Sequence, residues 1–92
     1  MSKSLHSVEY GALRQKLLAM RKAANLSQRD LGRRLAVPAS WVSKVETGER
    51  RIDLVEFGWF CSACGFDPAT AARDVLASTV PALRRPKKGP EG

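Results

Sequence analysis

Apolar residues recur at intervals of three and four along much of this chain, the spacing that places them on one face of a helix. In the first such run Tyr10, Leu13, Leu17, Met20 and Ala24 share a side, and Arg14, Lys16, Arg21 and Lys22 occupy the others. This predicts an amphipathic helix over Val8–Ala24. Ser7 is its expected cap, Glu9 lies near the positive end of its dipole, and Asn25 tolerates a left-handed end. Leu31 and Leu35 mark a short second helix, Gln28–Leu35. Ser27 is its N-cap, and Asp30 can answer as the acidic member of a capping box. Ala36-Val37-Pro38 then breaks the run. Proline has no amide to donate, so Pro38 fits the first turn of a new helix and not the middle of an old one. Val42 and Val45 give that third helix, Ala39–Thr47, its inward face, and Gly48 ends it. Ala39, Ser40, Ser43 and Lys44 are left on the other face. They are short or basic, as a helix lying against base edges requires.

Asp53 caps a fourth helix, Leu54–Cys64, on which Phe57, Phe60, Cys61 and Cys64 fall together. Gly65 closes it and Phe66 folds back on the core. Asp67-Pro68 is a cap followed by a first-turn proline, opening a fifth helix over Ala69–Ala77 with Val75 and Leu76 apolar. From Thr79 onward, Pro81, Pro86, Pro90 and two glycines oppose a helix, and a flexible tail is expected. The expected fold is therefore all-α, five helices in one small domain over 1–78 with a tail over 79–92. At 92 residues the chain can bury one core of modest stability.

Charge sharpens the picture. The net charge is +7, and residues 14–51 alone carry ten Lys/Arg against three Asp/Glu. Residues 52–78 carry one Arg against four acids, and residues 79–92 four basic residues against one Glu. The excess positive charge coincides with the second and third helices and their flanks. It suits a polyanionic partner, although a solvated basic surface would read the same way. No apolar run approaches the ~20 residues of a membrane span. The first residues lack the apolar core of a signal peptide, so a cytoplasmic protein is expected.

The letters Leu26-Ser27-Gln28, Leu31, Leu35-Ala36-Val37, Val42-Ser43, Val45-Glu46 and Gly48 stand at fixed offsets. On these the stretch from about Leu13 to Phe66 resembles the helix-turn-helix of the lambda-repressor-like (XRE) family. Two departures stand out. The family usually has Gly in the turn where this chain has Ala36, and a small Ala where this chain has Gly32. The family also often has Pro where Ile52 stands, which implies a less rigid entry to the fourth helix here.

The resemblance implies sequence-specific binding of double-stranded DNA by a homodimer on a near-palindromic operator. The third helix would lie in the major groove, and the role would be transcriptional regulation, most simply repression, by a compact phage, mobile-element or restriction–modification controller. Ala39, Ser40, Ser43 and Lys44 match the groove-reading positions. Lys can bond guanine O6 or N7, Ser any base, and Ala a thymine methyl. Gln28 matches a phosphate contact at a helix start, and basic Arg29 beside it is a further candidate for the backbone. Arg50 and Arg51 match backbone contacts after the third helix. Trp41 replaces a small polar residue; it can lie along a sugar-phosphate strand or cover the seam between the second and third helices. Arg21 and Glu46 match a buried ion pair. Relatives pair through the far end of the domain, which implies a dimer surface of Trp59, Ala69, Ala72 and Leu76.

Other readings compete. The protein could be an antitoxin whose main partner is a toxin protein, neutralised by the tail. Cys61-Ser62-Ala63-Cys64 has redox or metal spacing. Zinc needs about four ligands, and only His6 could join the two thiols. Buried thiols acting as small core residues are the expectation. One His, no Ser-His-Asp set and no phosphate loop argue against an enzyme. No cofactor, metal or small-molecule ligand is expected.

Overall fold

A computed structural model describes residues 8–79, of which the side chain of Thr79 is left aside. The described residues form five helices and no strand: α1 (Val8–Ala23), α2 (Gln28–Leu35), α3 (Ala39–Thr47), α4 (Leu54–Ala63) and α5 (Pro68–Thr79). The expected Ser7 cap and the tail beyond Thr79 lie outside the described residues.

The helix starts follow from short polar side chains. The Ser27 hydroxyl accepts the Asp30 amide at 2.9 Å, and the Asp30 carboxylate accepts the Ser27 amide at 3.1 Å. Asp53 and Glu56 make the same reciprocal pair at 2.8 and 3.0 Å. Glu56 thus completes a capping box where the sequence points only to Asp53. Asp67 accepts both the amide and the hydroxyl of Thr70, at 2.9 and 2.8 Å. Pro68 is then the first residue of α5, where its missing amide costs nothing. Pro38 is one position earlier than expected. It is the N-cap of α3 and not part of its first turn, with no side chain to cap it. α5 runs two residues past its expected end, the Ser78 hydroxyl donating to the Val75 carbonyl at 2.9 Å.

Three helices end alike, on a left-handed residue followed by a bond back across five positions. Asn25 has φ 64° and Leu26 donates to the Arg21 carbonyl at 3.2 Å. Gly65 has φ 83° and Phe66 donates to the Cys61 carbonyl at 2.9 Å. Ala36 ends α2 at φ 60°, ψ 41°, with Val37 donating to the Gly32 carbonyl at 2.9 Å. A Cβ on Gly32 would stand 2.7 Å from the Val37 carbonyl oxygen. The two departures from the family pattern are thus one feature. The turn folds back so closely on α2 that Gly32 must be bare, while Ala36 takes the left-handed strain.

α1 touches α3, α4 and α5, and α2 packs on α3 and α4. Between them Leu17, Met20, Leu31, Val42, Val45, Phe60 and Cys61 are completely buried. Two polar ties brace the outside. Lys16 meets Asp74 of α5 at 3.1 Å, and Arg34 of α2 donates to the Ala63 carbonyl at the end of α4 at 2.8 Å.

The turn gives a paired expectation. Ala36→Gly should raise stability by about 0.5–1 kcal/mol, because relief of the left-handed strain exceeds the entropy glycine adds to the unfolded chain. Gly32→Ala should lower it by about 1–3 kcal/mol through overpacking against backbone. Urea unfolding midpoints of the two variants check both signs.

Candidate nucleic-acid interface

Val42 and Val45 are completely buried, which fixes the rotation of α3 about its axis. Ser40 and Lys44, four residues apart, therefore face solvent one turn from each other, with Thr47 beside them. Ala39 and Ser43 are half-buried at the edge of that exposed strip.

The back of α3 is held by a charged lock. Arg21 Nε donates to Glu46 Oε2 at 2.6 Å and Arg21 Nη2 to Glu46 Oε1 at 3.0 Å. The side chains keep only 11% and 5% of their exposure. Gln28 Nε2 donates to Glu46 Oε1 at 3.0 Å, and Arg21 Nη1 to the Leu26 carbonyl at 2.9 Å. Helix α1, the start of α2 and the end of α3 thus meet on one carboxylate. Gln28 keeps its second amide proton, at the N-terminus of α2.

The loop after α3 is held as firmly. Arg50 forms a two-pronged ion pair with Glu56, Nη1 to Oε1 at 3.1 Å and Nη2 to Oε2 at 3.0 Å. Nη1 also donates to the Arg51 carbonyl at 2.9 Å. The Arg50 guanidinium, with the Asp53 amide, holds the Glu56 carboxyl below its ordinary range. The same guanidinium lies over the Trp41 ring, 5.0 Å from its centre, within cation–π range. Trp41 is half-buried and packs against the core. Arg51 is exposed and lies over the Tyr10 ring at 4.6 Å. The Ile52 amide donates to the Tyr10 hydroxyl at 3.1 Å. A proline in place of Ile52 could not make that bond, so this entry to α4 is tied by hydrogen bonding in place of a ring.

Basic residues divide into two sets. Arg33 pairs with Asp30 at 2.7 Å, Arg34 and Arg50 are engaged as above, and half-buried Arg14 points its Nη1 at the Glu46 carbonyl, 3.4 Å away. Lys22, Arg29, Lys44 and, on α5, Arg73 are exposed and form no ion pair among the described residues. These are the cations a phosphate could meet without displacing an internal partner.

The four residues expected at a dimer surface are separated. Ala72 and half-exposed Leu76 line an apolar groove with Leu13, Ile52, Leu54 and Phe57. Trp59, 60% exposed, lines another depression with Arg34, Leu35, Ser62 and Ala63, and Ala69 is exposed at the start of α5. Leu54 and Val55, exposed by 79% and 60%, add apolar surface at this end that the sequence analysis does not single out. Their signal was available, since the inward face of α4 already holds Phe57, Phe60 and Cys61.

Both cysteines are free thiols in the core. Burial pushes the Cys61 thiol up to about 11 from an ordinary 9.0, and burial raises Cys64 as well. His6 lies outside the described residues. Among those described, no cluster of three His, Cys, Asp or Glu could hold a metal ion, and no helix is long and apolar enough to cross a membrane.

An exposed, partly basic helix held behind a short first helix by a tight turn is the geometry of a helix-turn-helix DNA-binding protein. A family model for a helix-turn-helix domain matches residues 12–73. Among solved structures the chain is similar to an XRE-family like protein from Pseudomonas syringae pv. tomato str. DC3000. The two are 43% identical over 80% of this chain and 90% of that one, with a TM-score of 0.76. No curated protein matches the chain. The chain belongs to the XRE-like helix-turn-helix family. At that level it is a DNA-binding regulator of transcription, in a family that is generally not enzymatic.

Two outcomes follow. Arg21→Ala strands the Glu46 carboxylate in the interior and should cost about 3–5 kcal/mol of stability, measured by denaturant unfolding. At alkaline pH the unfolded chain ionises Cys61 from about 9, whereas the folded chain holds the proton to about 11. The unfolded state then binds fewer protons, so stability is full below pH 9 and declines as pH rises toward 11. Unfolding curves across that window should show a shallower decline for Cys61→Ala than for the native chain.

Proposed function

We propose that the protein binds double-stranded DNA sequence-specifically as a homodimer and represses transcription by occupying its operator. α3 lies in the major groove, with Ser40 and Lys44 on base edges and Ala39 and Ser43 beside them. The observation that carries this is the outward strip of Ser40 and Lys44 opposite the completely buried Val42 and Val45. Gln28, at the N-terminus of α2, offers its remaining amide proton to a phosphate, helped by the dipole of that helix. Arg29, Trp41 and Arg51 border the same strand. The second copy docks at the α4–α5 end, where Leu54, Trp59 and Leu76 leave apolar surface exposed. Residues 52–78 carry more acid than base, so two copies approach there without bringing their basic faces together. A dimer reads two half-sites whose centres lie about one helical turn, ~10–10.5 bp, apart.

Selection of bound fragments from random DNA, followed by titration of a selected and a random duplex at several salt concentrations, tests the reading. With ~6–10 phosphate contacts per dimer, affinity should fall ~10³–10⁵-fold between 50 and 200 mM salt. Lys44→Ala should lose ~1–3 kcal/mol on the selected duplex and much less on the random one. Arg51→Ala should weaken both alike and lower the salt slope by about one for each phosphate the arginine neutralises. Nearly salt-independent binding, or a Lys44→Ala variant that weakens both duplexes equally, would overturn the docking.

A further inference from the structure

We infer that Arg50 is a positioning residue and not a phosphate contact: clamped on Glu56, it pins the Trp41 flank of α3 to α4 and so sets the roll of the helix in the groove. The inference rests on the docking proposed above and deepens it. Trp41 and Glu46 are five residues apart, which places them on opposite flanks of α3, roughly 140° around its axis. The Glu46 flank is fastened to α1 and α2 by Arg21 and Gln28. Among the described residues, the Trp41 flank is fastened through packing and through Arg50, whose guanidinium lies 5.0 Å over the indole while both its terminal nitrogens hold Glu56. Glu56 is itself fixed, since its Oε1 accepts the Asp53 amide at the start of α4.

A phosphate would have to take Arg50 from a two-pronged carboxylate and uncover the indole. Engaged as it is, Arg50 does different work. Of the proposed readers Ala39, Ser40, Ser43 and Lys44, three are short, and only Lys44 can give a base more than one bond at a distance from the backbone. A small roll of α3 would carry Ser40, with Ala39 and Ser43, off the base edges, and these side chains are too short to follow. Pinning both flanks prevents it.

The two roles give Glu56→Gln opposite signs. If Arg50 met a phosphate, neutralising Glu56 would free it, remove a negative charge from the interface and tighten binding to any duplex. If Arg50 positions Trp41, the same change loosens the clamp and weakens binding to the selected duplex. Gln keeps an oxygen for the Asp53 amide, so the cap survives.

The experiment titrates the native chain, Arg50→Ala, Arg50→Lys, Glu56→Gln and the Arg50→Ala/Glu56→Gln double variant against the selected and a random duplex at several salts. In parallel, the two indole N–H resonances of each free protein are followed in 15N spectra. Arg50→Ala and Glu56→Gln should each weaken the selected duplex by roughly 3- to 10-fold, the range of a single charge-assisted or cation–π contact. The random duplex should change little and the salt slope stay as it was. The double variant should be no weaker than the weaker single one, because both break one clamp. Arg50→Lys should recover part of the loss. The Trp41 resonance should move in both single variants and the Trp59 resonance stay. Should Arg50→Ala fail to fold, Glu56→Gln decides by its sign alone. Tighter binding by Glu56→Gln, a slope lowered by about one per subunit in Arg50→Ala, or an unmoved Trp41 resonance would each overturn the inference. If the native chain prefers no duplex, the proposed function fails, while the resonances still decide whether the clamp exists.

Discussion

One carboxylate carries the arrangement of the first three helices. Glu46 accepts two bonds from Arg21 and one from Gln28, and its backbone oxygen faces Arg14. A buried charge of this kind is tolerated only when its lone pairs are filled, and its net contribution to stability is small even then. What it supplies is geometry. Burial of Val42 and Val45 decides which face of α3 points inward, but apolar contacts are not directional and set its roll less finely than hydrogen bonds do. A carboxylate gripped by a planar guanidinium from one helix and an amide from another narrows that freedom on the Glu46 flank. The setting of α3 therefore combines the two, Val42 and Val45 giving its inward face and the directional bonds narrowing its roll.

The positive charge that first marks the chain as a polyanion binder is used largely inside the protein. Arg14, Arg21, Arg34 and Arg50 each reach a carbonyl or carboxylate of another segment. Arginine suits this work, because its flat fork bonds oxygens in two directions while its stem packs on apolar neighbours. Net charge consequently overstates how many cations are available to phosphates. Exposed Lys22, Arg29 and Lys44 form a much smaller set than the ten basic residues of 14–51.

Elements governed by local rules were legible in the sequence. Periodic apolar residues located all five helices, and Ser27, Asp53, Asp67, Asn25, Gly48 and Gly65 located their ends to within two residues. The lambda-repressor-like pattern pointed to Arg21 beside Glu46, because those letters stand at family positions; periodicity alone could not join residues 25 apart. Long-range polar contacts of this chain's own were illegible. Nothing in the spacing of Arg50, Trp41 and Glu56 says that the three stack, since their meeting depends on the path of the loop between α3 and α4. The Ile52–Tyr10 bond escaped for the same reason: its partners are 42 residues apart. Pro38 was misplaced by one position because an N-cap and a first turn both accept a residue without an amide proton.

The readers proposed on α3 would account for how much of the chain is spent on holding that helix. A long reading side chain can reach a base from more than one helix position, and Lys44 is the one such side chain among the proposed readers. Ser40 is short, and Ala39 and Ser43 are half-sunk in the domain. Such side chains reach a base only when the helix backbone comes close and at one roll angle. The close turn at Gly32 and Ala36 brings α2 and α3 near each other, so that the proposed phosphate seat at Gln28 and base contact at Ser40 could be used together. On the proposed docking, short readers at Ala39, Ser40 and Ser43 call for a rigid mount. Discrimination then depends on misfit as much as on attraction, because a helix that cannot roll cannot adapt to a wrong base pair.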